Sequence, residues 1–306
     1  MKKAFALCLA AVLVLRMTTE TFAEGRTFGA CCTADSPFFT AINDTIRAVI
    51  EVNGDTLITM TSERDQAKQI AQVNNLIARG IDALFLIPVD GDEVTPALLA
   101  CREAGIPVIN LGADVSDEDL VACTVAFDNK SAGRLCAEDL LRRIEGGKVA
   151  VLGNSAIKSD LERITEFERV ISGNAGFSIA ARGDTLGKRE TAEAAMRDII
   201  REFPDLAAVM CISDTVALWA VPVLKEAGME GRVLIYGVNG SPEAKRAVRD
   251  GLMTGTAVQS ARAIAHTAVA EANKVLGSKE VEKHTWIPTL IVTRDNLRDF
   301  FIDGWQ

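Results

Sequence analysis

Asp82-Ala83-Leu84-Phe85-Leu86 is a short apolar run, and Glu103-Ala104-Gly105-Ile106-Pro107-Val108-Ile109-Asn110 closes a helical stretch at glycine and opens a second apolar run. Between them, Glu93–Ala104 has helical patterning, so the segment reads strand, helix, strand. The same order returns in the second half. Asp205-Leu206-Ala207-Ala208-Val209 is followed by Glu226-Ala227-Gly228-Met229, which leads into Val233-Leu234-Ile235-Tyr236. Short continuous apolar strands between amphipathic helices belong to parallel sheets covered on both faces. The repetition predicts an α/β protein of two similar domains.

The rhythm extends outward from this segment. Thr27–Cys32, Thr56–Met60 and Pro107–Leu111 read as strands in the first half. Pro37 opens a helix reaching about Val52, with Ile42, Ile46, Val49 and Ile50 on one stripe. Asp65–Arg79 reads as a helix with Ala67, Ile70, Ala71, Val73, Asn74 and Ile77 inward. Beyond a Ser/Asp-rich link, helices are expected at 130–144, 157–171, 190–202, 214–227 and 242–249. Strands are expected at 149–152, 178–181, 208–211, 233–236 and 255–258.

Composition narrows the function. The 306 residues are 48% hydrophobic and 25% charged, which excludes a disordered or collagen-like chain. A net charge of −9 argues against nucleic acid and anionic membranes, both of which need basic surface. His266 and His284 are the only histidines, which excludes a His-rich metal site and leaves little for His-based catalysis. Residues 1–23 read as a cleavable signal peptide: Lys2 and Lys3, the apolar run Ala4–Leu15, and Thr21-Phe22-Ala23 before the cut. The run is too short for a spanning helix of about 20 residues. Leu7 before Cys8 does not fit a lipoprotein site, so a free periplasmic protein is expected. Six cysteines remain after the cut. Cys101, Cys123, Cys136 and Cys211 sit in apolar contexts suited to buried thiols, while Cys31 and Cys32 would point to opposite faces of a strand. Disulfides are open to an exported protein, and the sequence fixes no pairing.

Catalytic signatures are missing. Gly183-Asp184-Thr185-Leu186-Gly187-Lys188-Arg189 is one residue short of a phosphate loop and lacks its Ser/Thr. No glycine-rich dinucleotide fingerprint follows a strand, and Gly153-Asn154-Ser155-Ala156-Ile157 lacks the second glycine of a nucleophile elbow. Asp90, Asp92 and Glu93 are better explained by Asp92 capping a helix than by calcium. Asp114–Asp119 reads as a solvated loop. No catalytic residue, metal or cofactor is expected, and the chain is not read as an enzyme.

The strongest local signal is Thr33-Ala34-Asp35-Ser36-Pro37-Phe38-Phe39, between the first strand and the first helix. Ligands of open α/β sheets bind at the carboxyl ends of strands. Phe38 and Phe39 there suit the C–H faces of a sugar ring, or alternatively staple the helix to the core.

With this stretch the chain resembles the periplasmic sugar-binding proteins of ABC importers, of the ribose-binding type. The landmarks run in order through the mature chain: Ser36-Pro37-Phe38-Phe39, Asp65-Gln66-Ala67-Lys68-Gln69-Ile70, Gly105-Ile106-Pro107-Val108-Ile109, Phe127-Asp128-Asn129 with Ala132-Gly133, Glu162-Arg163 before Phe167, Ser213-Asp214, Gly237-Val238-Asn239-Gly240 and Thr256-Ala257-Val258-Gln259. The resemblance implies two Rossmann-like domains with parallel sheets, a three-strand hinge and a ligand cleft between them, the type I periplasmic-binding fold. Crossovers would fall near 127–128, 259–260 and 287–288. One domain would be 24–127 plus 260–288, the other 128–259 plus 289–306. It also implies a monomer that works with an ABC permease in the membrane.

Site residues follow from the same resemblance. Phe38 and Phe39 match a ring-stacking pair, Arg163 a sugar-binding arginine and Gln259 a hinge-side amide. An arginine's five fixed donors suit neighbouring hydroxyl oxygens, although a surface ion pair of Arg163 with Asp160, Glu162 or Glu166 is the plain alternative. Ser36 and Ser213 stand where asparagines are usual, and Asn239 where an aspartate is. Gly112-Ala113 replaces an Asp-Arg pair, with Asp114 nearby, and Leu186 or Gly187 falls where an aromatic is common. Most of these changes shorten the side chain and enlarge the cleft. They point to a hexose, a hexose derivative or a polyol rather than ribose, and Asp35 with Asp114 leaves an amino sugar open. The expected function is capture of a small carbohydrate or polyol for import. The alternative is a periplasmic sensor of a sugar or quorum signal that docks on a receptor or chemoreceptor.

Overall fold

Thr27–Cys32 forms β1, buried from Phe28 onward, in a computed structural model that describes residues 25–33, 36–112, 114–153 and 158–306. The signal-peptide reading of residues 1–23 lies outside the described residues. Ser36 then caps α1 (Pro37–Glu51): its Oγ accepts from the Phe39 N–H at 3.3 Å, and Pro37 sits in the first turn, where a missing N–H costs nothing. Alternation continues through β2 (Thr56–Thr61), α2 (Gln66–Ala78), β3 (Ala83–Leu86), α3 (Thr95–Glu103), β4 (Val108–Leu111) and β5 (Cys123–Phe127). The second run comprises α4 (Asn129–Arg143), β6 (Gly147–Gly153), α5 (Lys158–Ser172), β7 (Phe177–Asp184), α6 (Arg189–Glu202), β8 (Leu206–Cys211), α7 (Asp214–Glu226), β9 (Leu234–Val238), α8 (Pro242–Asp250) and β10 (Gly255–Gln259). Then come α9 (Ala261–Leu276), β11 (His284–Ile287) and β12 (Thr289–Thr293).

These strands form two six-stranded sheets, ordered β11-β5-β4-β3-β1-β2 and β12-β10-β9-β8-β6-β7. All pairings are parallel except that of β12 with β10. The repeat seen in the sequence is real at this level: β3-α3-β4 and β8-α7-β9 hold the same places in their sheets. The chain passes between sheets after Phe127, after Gln259 and after Ile287, and α9 packs back on α1 and on β3, β4 and β5.

Each sheet with its helices is a lobe with apolar packing on both faces. Cys32 joins the cluster of α1 and α9, and Cys31 joins the one of α2 and α3, so the two adjacent cysteines face opposite sides as expected. The six described cysteines are free and buried, and burial pushes the Cys31 thiol up to about 12. Tyr236 lies in the core under α4, where its hydroxyl donates to Asp139 Oδ2 at 2.8 Å. The last residues return to the first lobe: Trp305 packs on Phe38, and the Arg262 N–H donates to the Gln306 carbonyl. Lys245, fully buried, holds this tail by donating to the Phe301 and Gly304 carbonyls, each at 2.6 Å.

Several expectations need correction. The inward face of α2 is Gln69, Val73 and Leu76, while Ala67, Ala71 and Asn74 are exposed. Gln69 is buried because its amide bridges the turn after β3, donating to the Ile87 carbonyl and accepting from the Val89 N–H, both at 2.9 Å. Asp92 does not cap α3. Asp90 organises the turn instead, accepting from the N–H groups of Asp92 and Glu93. The elements β5, α9, β11 and β12 escaped the sequence reading. Among the described residues no helix is long and apolar enough to cross a membrane.

Candidate functional site

The carboxyl ends of the strands in both sheets carry the candidate residues on loops and helix starts. Ser36 and Ser213 play matching parts. Each caps the helix after its strand, and Ser213 Oγ accepts from the Val216 N–H at 3.3 Å. A hydroxyl that accepts from its helix keeps its proton for a ligand oxygen. Asp35 lies outside the described residues.

Phe38 and Phe39 are half-buried and tilted against each other, with ring centroids 5.8 Å apart. Phe38 also meets Phe127 at 6.0 Å and, edge-on, Trp305 at 5.6 Å. The pair therefore packs on the first lobe's core, with Phe38 in an aromatic cluster that also holds the C-terminal tryptophan. Trp305 was missed because it is distant in sequence and only the tail's return brings it here.

Arg163 is the centre of a buried polar network in the second lobe. It is buried, which overturns the surface ion-pair alternative. Glu162 instead accepts from Asn129 Nδ2 at 3.2 Å, and Glu166 is engaged by Arg169. Arg163 Nε donates to Asn129 Oδ1 at 3.1 Å, Nη1 to the Ile212 carbonyl at 2.8 Å and Nη2 to Gln259 Oε1 at 2.9 Å. Gln259 Nε2 donates in turn to Asn129 Oδ1 at 2.9 Å, and Asn239 Nδ2 to Gln259 Oε1 at 3.4 Å. Burial pulls the Arg163 pKa below its usual range, opposed by Asp160, whose carboxylate is 3.9 Å away. Three of the guanidinium's five N–H groups are held by protein, which fixes its plane and leaves two to direct elsewhere.

Asn129 was absent from the sequence-derived site, yet it joins Arg163 to Gln259. It opens α4 just after one passage between sheets, and Gln259 ends β10 just before another. The network thus ties two of the inter-lobe segments together. Asn239 has φ +113°, an uncommon conformation of the kind that gathers at ligand sites, and its N–H donates to the Ala257 carbonyl at 2.9 Å. Asp214, one residue past Ser213, is buried; Oδ1 accepts from Thr256 Oγ1 and Oδ2 from the Ser241 N–H, both at 2.6 Å. Burial pushes its carboxyl up to about 7, against these two donors.

Asp114 reaches across between the lobes. Its carboxylate pairs with Lys158 Nζ, at the start of α5, at 3.2 Å. Beside this pair is a cleft of about 190 Å³ lined by Gly112, Phe127, Asn129, Glu162 and Trp286. A larger hollow between α6 and α7, around Arg197, Met229 and Arg232, lies on the outer face of the second lobe and is open to solvent, so it is not part of this site.

The model of the periplasmic binding protein domain matches residues 30–280. The chain belongs to the periplasmic binding protein family. Among its relatives is the ribose import binding protein of Salmonella typhimurium, 28% identical over 92% of this chain and 95% of that protein. The xylitol-binding protein of Mycolicibacterium smegmatis is 26% identical over 88% of this chain and 80% of its own length. An ABC transporter solute binding protein from Mycobacterium smegmatis, solved with bound glycerol, superimposes with a TM-score of 0.82 at 30% identity, covering 92% of this chain and 98% of that one. Family membership accounts for two similar lobes with buried polar groups at strand ends in one chain. The relatives named here are binding proteins.

Proposed function

We propose that this protein is a periplasmic solute-binding protein that captures a monosaccharide, sugar derivative or polyol between its lobes and delivers it to an ABC permease. The observation that carries the reading is the network of buried Arg163, Asn129 and Gln259 with half-buried Asn239 at the strand ends. Such a preorganised set of donors and acceptors suits hydroxyl recognition, because polar groups enclosed with a ligand must all be paired. Phe38 and Phe39 supply an aromatic wall from the first lobe. Ser36, Ser213, Asn239 and Gln259 supply hydroxyl and amide partners, and Asp35 and Asp114 complete the set on the first lobe. The relatives named above, which take up ribose or bind xylitol, support this ligand class.

In this reading the lobes are 24–127 plus 260–288 and 128–259 plus 289–306, with residues 1–23 removed on export. The cleft beside Asp114 and Lys158 shares Asn129 with the network, and ligand enters when the lobes part about the three inter-lobe segments. The Asp114–Lys158 pair then closes one edge. The test is a thermal-shift and calorimetric screen of residues 24–306 against D-ribose, D-allose, xylitol, myo-inositol, D-fucose and amino acids. A ligand at a hundred times its Kd raises stability by about 2.7 kcal/mol. Binding of a carbohydrate or polyol, lost in Arg163→Met, is the expected result. Binding only among amino acids, or not at all, would overturn the proposal.

A further inference from the structure

Asp160 stands out among the charged groups outside the network just described. It lies in the first turn of α5, is only 7% exposed, and among the described residues no hydrogen bond reaches its carboxylate. Its one ion pair there, with Arg163 Nη1, is stretched to 3.9 Å. A carboxylate at a helix start is common at the surface, but a buried one with no close donor is costly unless something supplies donors.

A second charge reaches it from the other lobe. Arg64 follows β2, and its positive charge acts on Asp160 together with that of Arg163. Its guanidinium lies against the backbone of Gly187, in the second lobe's loop between β7 and α6. A Cβ on that glycine would sit 2.7 Å from Nη1 and 3.3 Å from Cζ. Arg64 therefore crosses the opening between lobes and fills the space that any side chain at position 187 would take. Its backbone is set for this. Glu63 and Arg64 have φ of +56° and +65°, two consecutive non-glycine residues in the left-handed region. The turn is pinned by the Arg64 N–H on the Thr33 carbonyl at 2.6 Å and by Ser62 Oγ on the Cys32 carbonyl at 2.9 Å. Strain of this kind persists where the surroundings enforce it, and it gathers at ligand sites.

We infer that Arg64 and Asp160 form a cross-cleft grip for a pair of adjacent hydroxyls on a neutral ligand, Arg64 donating to the oxygens and Asp160 accepting their protons. The inference rests on the proposed function and adds two specificity-determining residues to it, one from each lobe. The chemistry favours a diol over a single charged group. A guanidinium presents parallel donors, a carboxylate presents two acceptors, and a neutral diol satisfies both without leaving either charge uncompensated. A ligand with an acidic group would be repelled by Asp160, and one with an amino group by Arg64 and Arg163.

The test is calorimetry on residues 24–306 with Arg64→Met, Asp160→Asn and the double variant. The probes are D-ribose, 2-deoxy-D-ribose, D-allose, xylitol, myo-inositol, D-galacturonate and D-glucosamine. The tightest neutral probe should lose about tenfold to a hundredfold in affinity with either substitution. The double variant should lose less than the product of the two, since both residues hold the same diol. Melting temperature without added probe should hardly change in Arg64→Met, because Arg64 is exposed. Should Asp160→Asn fail to fold, Arg64→Met with Asp160→Glu decides the matter. If the parent binds a neutral probe and Arg64→Met binds it within twofold, the inference fails while the proposed function stands. Preference for galacturonate or glucosamine over every neutral probe would also overturn it. If the parent binds no sugar or polyol, both fall.

Discussion

Gly133→Ala should destabilise the protein although alanine is the better helix former. Gly133 lies inside α4 where that helix meets α5. A Cβ there would be 2.0 Å from the Arg163 carbonyl oxygen and 3.0 Å from both the Arg163 carbonyl carbon and the Phe167 nitrogen. These are backbone atoms, so no side chain can swing away. A carbon–oxygen contact is comfortable at about 3.3–3.6 Å, so the helices must part by more than about 1 Å. Removing glycine from a helix interior gains about 1 kcal/mol. Forcing a packed interface apart costs about 1–3 kcal/mol, and a backbone overlap belongs at or above the upper end. The net loss should be about 2 kcal/mol, a fall in Tm of about 3 °C for a chain of this size. The displaced helix carries Arg163, whose bonds to Asn129, Ile212 and Gln259 are all 2.8–3.1 Å and cannot follow a shift of that size. Affinity for the ligand found in the screen should therefore drop at least tenfold alongside Tm. Differential scanning calorimetry and titration calorimetry on the same preparation read both. A variant that melts at or above the parent, with unchanged affinity, would refute the close approach of α4 and α5 and the coupling of that interface to the site.

Tyr236→Phe should cost about 1.5 kcal/mol in urea denaturation, the low end for a bond to a charged acceptor, because Arg143 still holds Asp139 at 2.6 Å; an unchanged midpoint would mean the hydroxyl contributes nothing. Asp214 has a carboxyl pushed up to about 7 by burial, above an unfolded value of about 3.9, so its contribution to stability is full below about pH 4 and is lost as pH rises through 7. The Tm of Asp214→Asn relative to the parent should accordingly climb between pH 5 and pH 8, and a flat difference would contradict the cause given. Lys245→Met removes the donor to the Phe301 and Gly304 carbonyls, so carboxypeptidase should release the C-terminal residues faster than from the parent; equal rates would show that the tail is held from the first lobe alone.

The strand–helix alternation and the two-fold repeat were legible because they rest on local patterning. Apolar runs such as 83–87 and 208–211 have no other use in a chain of this composition, and glycines at 105 and 228 mark where helices stop. What escaped had weak contrast. In α9 the buried stripe is built largely of alanines, among them Ala261, Ala265, Ala268 and Ala272, with Glu271 on the same face and another alanine, Ala270, exposed, so the apolar contrast is blunted. The strands β11 and β12 are only partly buried edge strands, so they lack the continuous apolar signature of the central ones. The inward face of α2 was misread because Gln69 is buried for its hydrogen bonds rather than its hydrophobicity.

The site divides in the same way. The sequence determined that two α/β units would place loops at strand ends and that helices would open at Pro37 and Asp214, and its resemblance to sugar-binding proteins singled out Phe38, Arg163 and Gln259. Tertiary structure decided who meets whom. Asn129, Arg163, Asn239 and Gln259 come from four separate elements, and their polar atoms carry no periodic signal. Only the stacking of β6, β8, β9 and β10 in one sheet brings them within 3.4 Å of a partner. Trp305 against Phe38, Asp114 against Lys158 and Arg64 over Gly187 depend on how the lobes and the tail face each other. Hydrophobic periodicity acts through neighbours a few residues away and so is written in the sequence. Hydrogen-bond and charge pairing between distant segments is fixed by the packing of whole elements, and it becomes readable only once the chain has folded.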